Sequence, residues 1–252
     1  TLAERGHDVT IYEKTGALGG RTKLAAMIKS GGCEEVMHIF DYLTAMIEKS
    51  DVKVSLKTEV DERLIRKVAP DAVVVANSSP YFIPDIPGMN RKNVFTIPMM
   101  SKLAQVPMKM FGPDKLASMS EKFFPVGKKV LIWGAGAEGA QCAEFMRKRG
   151  KEIVLVAEND DIGGMIPLKY KERILPWFER KNVQIVRNST VVEFTKKGAI
   201  VRGADGSEEL IECDSMMVML PEERDPEFFD MVRSIVPEAY EIGSTLGGEN
   251  AF

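Results

Sequence analysis

Residues 127–145 read GKKVLIWGAGAEGAQCAEF and carry the most informative pattern in the chain. The run from Lys129 to Trp133 is short and apolar, as in a buried strand of a parallel sheet. Gly134, Gly136 and Gly139 follow with the spacing GxGxxG at the opening of a predicted helix. We therefore predict the strand, glycine loop and helix that begin a β-α-β unit.

Each glycine of this loop has a physical role in holding a dinucleotide. Gly134 permits the tight turn, Gly136 lets the backbone approach a pyrophosphate, and Gly139 lets the helix pack close to the strand. The start of the helix offers free N–H groups and the positive end of the helix dipole. The loop, with Ala137 and Glu138, is thus a predicted nucleotide site. The alternative is that it serves only as a tight turn between strand and helix.

A second strand follows the helix and leads to an acidic residue. The apolar stretch from Ile153 to Val156 precedes Glu158, which lies some twenty residues after the glycine loop. An acidic side chain in this place can accept a hydrogen bond from a ribose hydroxyl of NAD. Glu158 therefore favours NADH over NADPH in this unit.

The chain repeats itself at an offset of 144 residues. Residues 1–20 read TLAERGHDVTIYEKTGALGG, and residues 145–164 read FMRKRGKEIVLVAENDDIGG, so that they align without a gap. Both segments have the pattern of a helix end, a glycine stop, a buried strand and a glycine turn. The predicted fold class is α/β, with two Rossmann-like three-layer dinucleotide-binding units.

The same offset places the first unit's glycine loop and its preceding strand before Thr1. We therefore expect a first unit truncated at its N-terminus, in a chain that is part of a longer protein, because a sheet without its first strand would leave an edge unpaired. Glu13 is the acidic residue placed to bind an adenosine ribose in this unit. The aligned position in the second unit is Ala157, one residue before Glu158.

These patterns give the predicted domain boundaries. Residues 1–100, completed by 216–252, form an FAD- or ADP-binding-like domain, in which residues 34–48 are a helix that covers one sheet face. Residues 101–126 are a proline-containing linker, and residues 127–215 form an NAD(P)H-binding domain.

Composition and charge argue against several other classes of function. The formal net charge is -3 and the basic residues are spread along the chain, so a nucleic-acid partner is not expected. No apolar run approaches the roughly 20 residues of a membrane span, and no export signal precedes the first strand. A cytoplasmic location and no membrane partner are the expectation.

The cysteines and histidines suggest no redox pair and no metal site. Cys33, Cys142 and Cys213 form no CxxC pair, which argues against a disulfide framework and favours reduced, mostly buried thiols. His7 and His38 have no pattern of metal ligands around them. We name no catalytic acid, base or nucleophile, because hydride chemistry would belong to bound cofactors.

Several short motifs together carry a family resemblance. They are LGGR at 18–21, TEV at 58–60, DAVVVANSSP at 71–80, IPG at 86–88, GKKVLIWGAGAEG at 127–139 and PEAYEIGS at 237–244. In this order the chain resembles flavoproteins with two dinucleotide-binding domains. In particular, it is similar to the C-terminal part of the old-yellow-enzyme-fused NADH:flavin oxidoreductases, such as 2,4-dienoyl-CoA reductase, trimethylamine dehydrogenase and NADH oxidase. The resemblance spans nearly the whole chain.

The resemblance implies a function as the electron-input part of a flavin-dependent NAD(P)H oxidoreductase. The first unit would hold FAD or ADP, and the second would receive NAD(P)H. FMN and an iron-sulfur cluster would belong to an N-terminal β/α barrel outside this chain, so that this part alone would not turn over substrate. The cofactor contacts implied for the first unit are Glu13, Lys14, Gly19, Gly20, Arg21, Val60, Ala76, Gly243 and Ser244.

Three departures from the family pattern leave the first cofactor open. The usual ATG appears as Ala76, Asn77 and Ser78, the usual GD appears as Gly243 and Ser244, and the first glycine loop is missing. The first unit could hold FAD, hold only ADP, or be structural. The alternative function is therefore a non-catalytic, nucleotide-binding structural or regulatory domain. A free-standing disulfide reductase is disfavoured because the chain has no CxxC pair.

Overall fold

The computed structural model describes residues 1–20, 33–77, 79–122, 126–164, 166–223 and 225–243. The described residues of 1–26, 34–80 and 222–252 form one compact unit, and those of 81–221 form most of a second. The elements in chain order are β1 (Thr10–Glu13), α1 (Cys33–Glu48), β2 (Lys53–Leu56), α2 (Glu62–Val68), β3 (Ala72–Val75), β4 (Val94–Thr96), α3 (Ile97–Lys122), β5 (Lys129–Trp133), α4 (Ala137–Lys148), β6 (Glu152–Val156), α5 (Leu168–Arg180), β7 (Gln184–Val186), β8 (Ser189–Phe194), β9 (Gly198–Gly203), β10 (Glu208–Glu212), β11 (Ser215–Val218), α6 (Glu227–Ile235) and β12 (Glu238–Glu241). The strands of the main sheets are parallel, and the predicted α/β, Rossmann-like fold class is confirmed.

The second unit is built on a five-stranded parallel sheet in the order β4-β11-β5-β6-β7. Residues 130–133 of the central strand β5 are all buried, which explains why their sequence is continuously apolar. An antiparallel meander, β8-β9-β10, packs against the sheet, and Phe194 meets Trp133 edge to face with ring centroids 6.2 Å apart. The central strand therefore ends in a fixed position, where the glycine loop begins.

The first unit contains two parallel pairs, β1-β2 and β3-β12. Helix α2 begins at Asp61, whose carboxylate accepts a 2.8 Å hydrogen bond from the N–H of Leu64. A small core forms around Ile65, Val75 and Val232. In the part of the chain that the structure describes, no ladder of hydrogen bonds joins the two pairs.

The sequence repeat extends to the backbone. Gly6 and Gly150 have φ angles of 89° and 77°, Gly19 and Gly163 of 101° and 92°, and Gly20 and Gly164 of 43° and 45°. A positive φ favours glycine because other residues clash there. The matching glycines therefore mark the same two turns, before and after the first strand of each repeat.

The boundaries of the two units differ from those predicted from the sequence. Residues 101–122 of the predicted linker belong to the 26-residue helix α3, and β11 pairs with β4 and β5 in the second sheet. The return to the first unit occurs at 222 and not at 216. Proline suggested a linker, but Pro107 and Pro113 lie inside α3, where the Met, Leu, Ala and Lys residues around them favour helix. None of the described helices is long and apolar enough to cross a membrane.

Candidate functional site

The glycine loop after β5 has one glycine that faces open space. A Cβ on Gly134 (φ 103°) would lie 2.3 Å from the carbonyl oxygen of Met219, and a Cβ on Gly139 would lie 1.8 Å from that of Gly134. Those two glycines are required by contacts within the protein. A Cβ on Gly136, in contrast, would meet no atom within 4 Å. The space beside Gly136 is therefore open to a ligand.

The start of helix α4 supplies hydrogen-bond donors at this space. Gly136 is the residue before the helix, and no side chain caps the helix there. The N–H groups of Ala137 and Glu138 belong to the first turn of the helix, where a backbone N–H has no carbonyl acceptor within the helix. These donors and the positive end of the helix dipole suit a phosphate group.

The second glycine turn lies next to the loop. The N–H of Gly163 donates a 2.7 Å hydrogen bond to the carbonyl oxygen of Ala135, and a Cβ on Gly164 would lie 3.6 Å from the Cα of Gly136. The turn thus borders the open space on one side. The repeat pointed to this glycine pair, but nothing in the sequence predicted its contact with the loop.

Glu158 lies two residues beyond the end of β6. Its neighbour Ala157 is buried, donating an N–H to Val186 over 2.8 Å and accepting from the N–H of Ser189 over 2.9 Å. Glu158 is exposed, and its Oε1 accepts a 3.0 Å hydrogen bond from Oγ1 of Thr190. No sequence signal pointed to Thr190. Glu158, and not Ala157, is therefore the residue of this strand end that could reach a ribose.

In the first unit the predicted residues lie at the ends of three strands. Oε1 of Glu13 accepts a 2.7 Å hydrogen bond from the N–H of Thr15, Lys14 is exposed beside it, and the turn at Gly19 and Gly20 follows.

The side chain of Val60 packs on the core around Ile65, which leaves only its backbone for a ligand. Ala76, directly after β3, is exposed. Gly243 comes one residue after Ile242, whose N–H donates a 2.9 Å hydrogen bond to the carbonyl oxygen of Val75. Arg21 and Ser244 lie outside the described residues.

A buried carboxylate joins the helix of the glycine loop to the next helix. Glu144 of α4, with 4% of its side chain exposed, lies 3.1 Å from Arg173 and 2.9 Å from Lys148, and it accepts a hydrogen bond from the hydroxyl of Tyr170. Burial favours the neutral acid, but the hydrogen bonds from Arg173, Tyr170 and Lys148 outweigh it and lower the pKa of Glu144. This cluster was missed in the sequence, where Glu144 is one of many helical glutamates.

The two thiols that the structure describes lie in the protein interior. Cys142 and Cys213 are free and buried, as the sequence predicted. Burial raises the pKa of Cys142 to about 12 and that of Cys213 to about 11. Across the described ranges, no group of three or more His, Cys, Asp or Glu could hold a metal ion. The glycine loop and the uncapped start of α4 supply the backbone donors that could hold the phosphates of a nucleotide.

Comparison with known proteins extends this description. The family model described as pyridine nucleotide-disulphide oxidoreductase matches residues 1–229. The chain is 24% identical over 221 residues to an NADH oxidase of Thermoanaerobacter brockii, a match that covers 87% of this chain and 31% of the relative. It is 25% identical over 258 aligned positions to a cinnamate reductase of Clostridium sporogenes, covering 98% of this chain and 34% of the relative.

A solved structure is similar over almost all of the chain. The complex of 2-naphthoyl-CoA reductase with 2-naphthoyl-CoA superposes with a TM-score of 0.75 at 26% identity, over 99% of this chain and 35% of that chain. The chain thus spans about a third of the length of these relatives.

Proposed function

Since this chain belongs to the pyridine nucleotide-disulphide oxidoreductase family, we propose that its second unit binds NADH and places it for hydride transfer to a flavin. The wider proposal is that the chain is the dinucleotide-binding part of a reductase of the old-yellow-enzyme-fused type. The relatives named NADH oxidase and cinnamate reductase, each about three times as long as the matched region, support this proposal.

One observation carries the proposal: Gly136 leaves open space directly before the uncapped start of α4. The residues present fit a pyrophosphate, because N–H donors and a missing side chain are what its close approach requires. Ala137 and Glu138 would donate their N–H groups, and Gly164 would border the site. Glu158 would accept a hydrogen bond from the adenosine ribose.

The bound cofactors would supply the redox chemistry, with nicotinamide as hydride donor and flavin as acceptor. The chain's own residues bind and orient, and none of them is proposed as an acid or base. For the first unit, FAD or ADP is proposed from the family, with Glu13, Lys14, the Gly19–Gly20 turn, Arg21, Val60, Ala76, Gly243 and Ser244 as contacts. FMN and an iron-sulfur cluster are proposed only for a barrel domain outside this chain, and substrate turnover would require that domain.

The test is calorimetric titration of the chain with NADH, using a charge-matched pair of variants. Gly136→Asp places a side chain and a negative charge in the open space, and we expect it to weaken NADH binding by about tenfold or more. Ala204→Asp adds the same charge on an exposed turn of the same unit and should leave the affinity unchanged. NADH affinity equal to that of the unchanged chain in Gly136→Asp would refute the site.

A second function is a nucleotide-binding module without redox turnover. It is favoured by Ala76-Asn77-Ser78 and Gly243-Ser244 standing where the family pattern has ATG and GD. In that case ADP would stabilise the chain as much as NADH in a thermal-shift assay, because a ligand at a hundred times its Kd stabilises by about 2.7 kcal/mol. A larger shift with NADH than with ADP would favour the redox function.

A further inference from the structure

Glu158 and Thr190 join two different layers of the second unit. Glu158 follows β6 of the parallel sheet, whereas Thr190 lies in β8 of the antiparallel meander, paired with Arg202 of β9. The neighbours of Thr190 on both sides, Ser189 and Val191, are buried, which holds this part of β8 in place. The hydroxyl donates to Oε1 of Glu158 over 3.0 Å. This contact holds the carboxylate and leaves Oε2 available as an acceptor.

Arg187, a cation of the neighbouring strand end, already has a partner in Asp160. Nη1 of Arg187 donates a 3.0 Å hydrogen bond to the carbonyl oxygen of Asp160 and lies 4.0 Å from its carboxylate. Asn188 donates to the same carboxylate over 3.3 Å. Asp160 therefore competes with a ligand for Nη1 of Arg187.

We propose that Thr190 is a positioning residue that fixes the Glu158 carboxylate for the ribose, and that Glu158 and the Asp160–Arg187 pair together select NADH over NADPH. The inference rests on the proposed function of the second unit. A ribose hydroxyl can donate to a carboxylate, whereas the 2′-phosphate of NADPH is an anion that the carboxylate repels. A phosphate would instead pair with a guanidinium, and Nη1 of Arg187 is engaged by Asp160.

The test measures the Kd of NADH and of NADPH by calorimetry for the same set of chains. Thr190→Val keeps the shape of the side chain and removes the hydroxyl, while Thr190→Ser restores a donor. We expect Thr190→Val to reduce the ratio of the NADPH to the NADH Kd by about threefold to tenfold, the equivalent of one hydrogen bond. Thr190→Ser should keep the ratio close to that of the unchanged chain.

A purely structural role for Thr190 predicts a different result. Thr190→Val would then weaken both nucleotides by the same factor and leave the ratio unchanged, which would overturn the inference. Equal affinity of the unchanged chain for the two nucleotides would also overturn it. Absence of binding by either nucleotide would refute the proposed function itself, so the two failures are distinguishable.

A second arm does not depend on the fold tolerating a change in β8. Glu158→Gln at an exposed position removes the charge, and we expect the NADPH Kd to fall by about tenfold. Adding Asp160→Asn should release Arg187 and lower the NADPH Kd further, with little change for NADH. An NADPH Kd that stays constant in both variants would contradict the assignment of selectivity to these residues.

Discussion

The N–H of Gly163 donates a hydrogen bond to the carbonyl oxygen of Ala135 over 2.7 Å. The bond ties the turn after β6 to the loop between β5 and α4, so these two glycine turns form one backbone surface. Gly163 has a φ angle of 92°, a conformation that favours glycine. The shape of the candidate nucleotide site is therefore set by two segments almost thirty residues apart.

Gly163→Ala should uncouple these segments. Alanine at a positive φ costs about 1–2 kcal/mol of unfolding free energy, and the shifted turn should weaken NADH binding as well. Gly150→Ala is the matched control, because its φ of 77° imposes a similar strain while its Cβ would meet no atom within 4 Å. We expect urea unfolding to show a similar loss of unfolding free energy in both variants. NADH titration should show weaker binding only in Gly163→Ala. Equal NADH affinity in both variants would speak against coupling.

Gly136→Ala and Gly139→Ala should separate binding from stability. A methyl group at Gly136 meets no atom within 4 Å, so the unfolding free energy should change by less than about 1 kcal/mol while NADH affinity falls about tenfold. A methyl group at Gly139 would meet the carbonyl of Gly134, and overpacking of this kind costs about 1–3 kcal/mol. Urea unfolding and NADH titration on both variants check this. Unchanged NADH affinity in Gly136→Ala would mean that no ligand approaches the loop there.

The elements that the sequence predicted well are those that local physics specifies. The strand from Lys129 to Trp133 follows from continuous burial. Gly134, which opens the glycine loop, follows from a φ angle of 103° that glycine adopts readily. The repeat located the turn at Gly163 and Gly164 without any knowledge of the fold. Such features depend on a few consecutive residues, so a short stretch of sequence is enough to predict them.

The features that were missed depend on tertiary contacts. Residues 34–48 were expected to cover a sheet face, but Leu43 and Met46 of this helix are 54% and 40% exposed. The hydrogen bond from Thr190 to Glu158 spans two layers, and the sequence around either residue does not predict it. In α3, Pro107 and Pro113 suggested breaks, but both lie within the helix.

The two units should differ in hydrogen exchange. Val130, Leu131 and Ile132 of β5 are completely buried, between β6 and β11, whereas Val54 and Leu56 of β2 are 38% and 41% exposed. Strands with few buried contacts open at lower free energy. We expect peptide-resolved exchange of β2 to be faster than that of β5 by about a hundredfold or more. Comparable protection of the two strands would contradict this difference in local stability.

The buried thiols should label only on unfolding. With pKa values of about 12 and about 11, Cys142 and Cys213 would be almost entirely protonated at about pH 8. In Cys33→Ser, we expect a disulfide reagent to leave the native chain unlabelled and to react with two thiols in guanidinium. Adding Ala204→Cys at an exposed turn supplies a thiol that should react at once. Rapid labelling of native Cys33→Ser would show that the thiols are accessible.

Glu144 should make stability depend on pH in the acid range. Glu144→Gln removes the negative charge beside Arg173 and Lys148, and we expect it to cost about 1–3 kcal/mol of unfolding free energy, the cost of losing a hydrogen-bond partner at a buried group. Because the folded chain lowers the pKa of Glu144, the carboxylate contributes fully above the pKa of the unfolded chain, near 4.5, and the contribution is lost as the pH falls through the folded pKa. The difference in unfolding free energy between the unchanged chain and Glu144→Gln should therefore be constant near neutral pH and shrink in acid.

Urea unfolding at a series of pH values measures this difference directly. Glu152→Gln is the control, because Glu152 is 55% exposed and pairs with Lys128 at the surface, where an ion pair contributes about 0–1 kcal/mol. It should change stability little at any pH. A Glu144→Gln difference that stays the same from neutral to acid pH would mean that the hydrogen bonds around Glu144 act through shape alone, without a contribution from its charge.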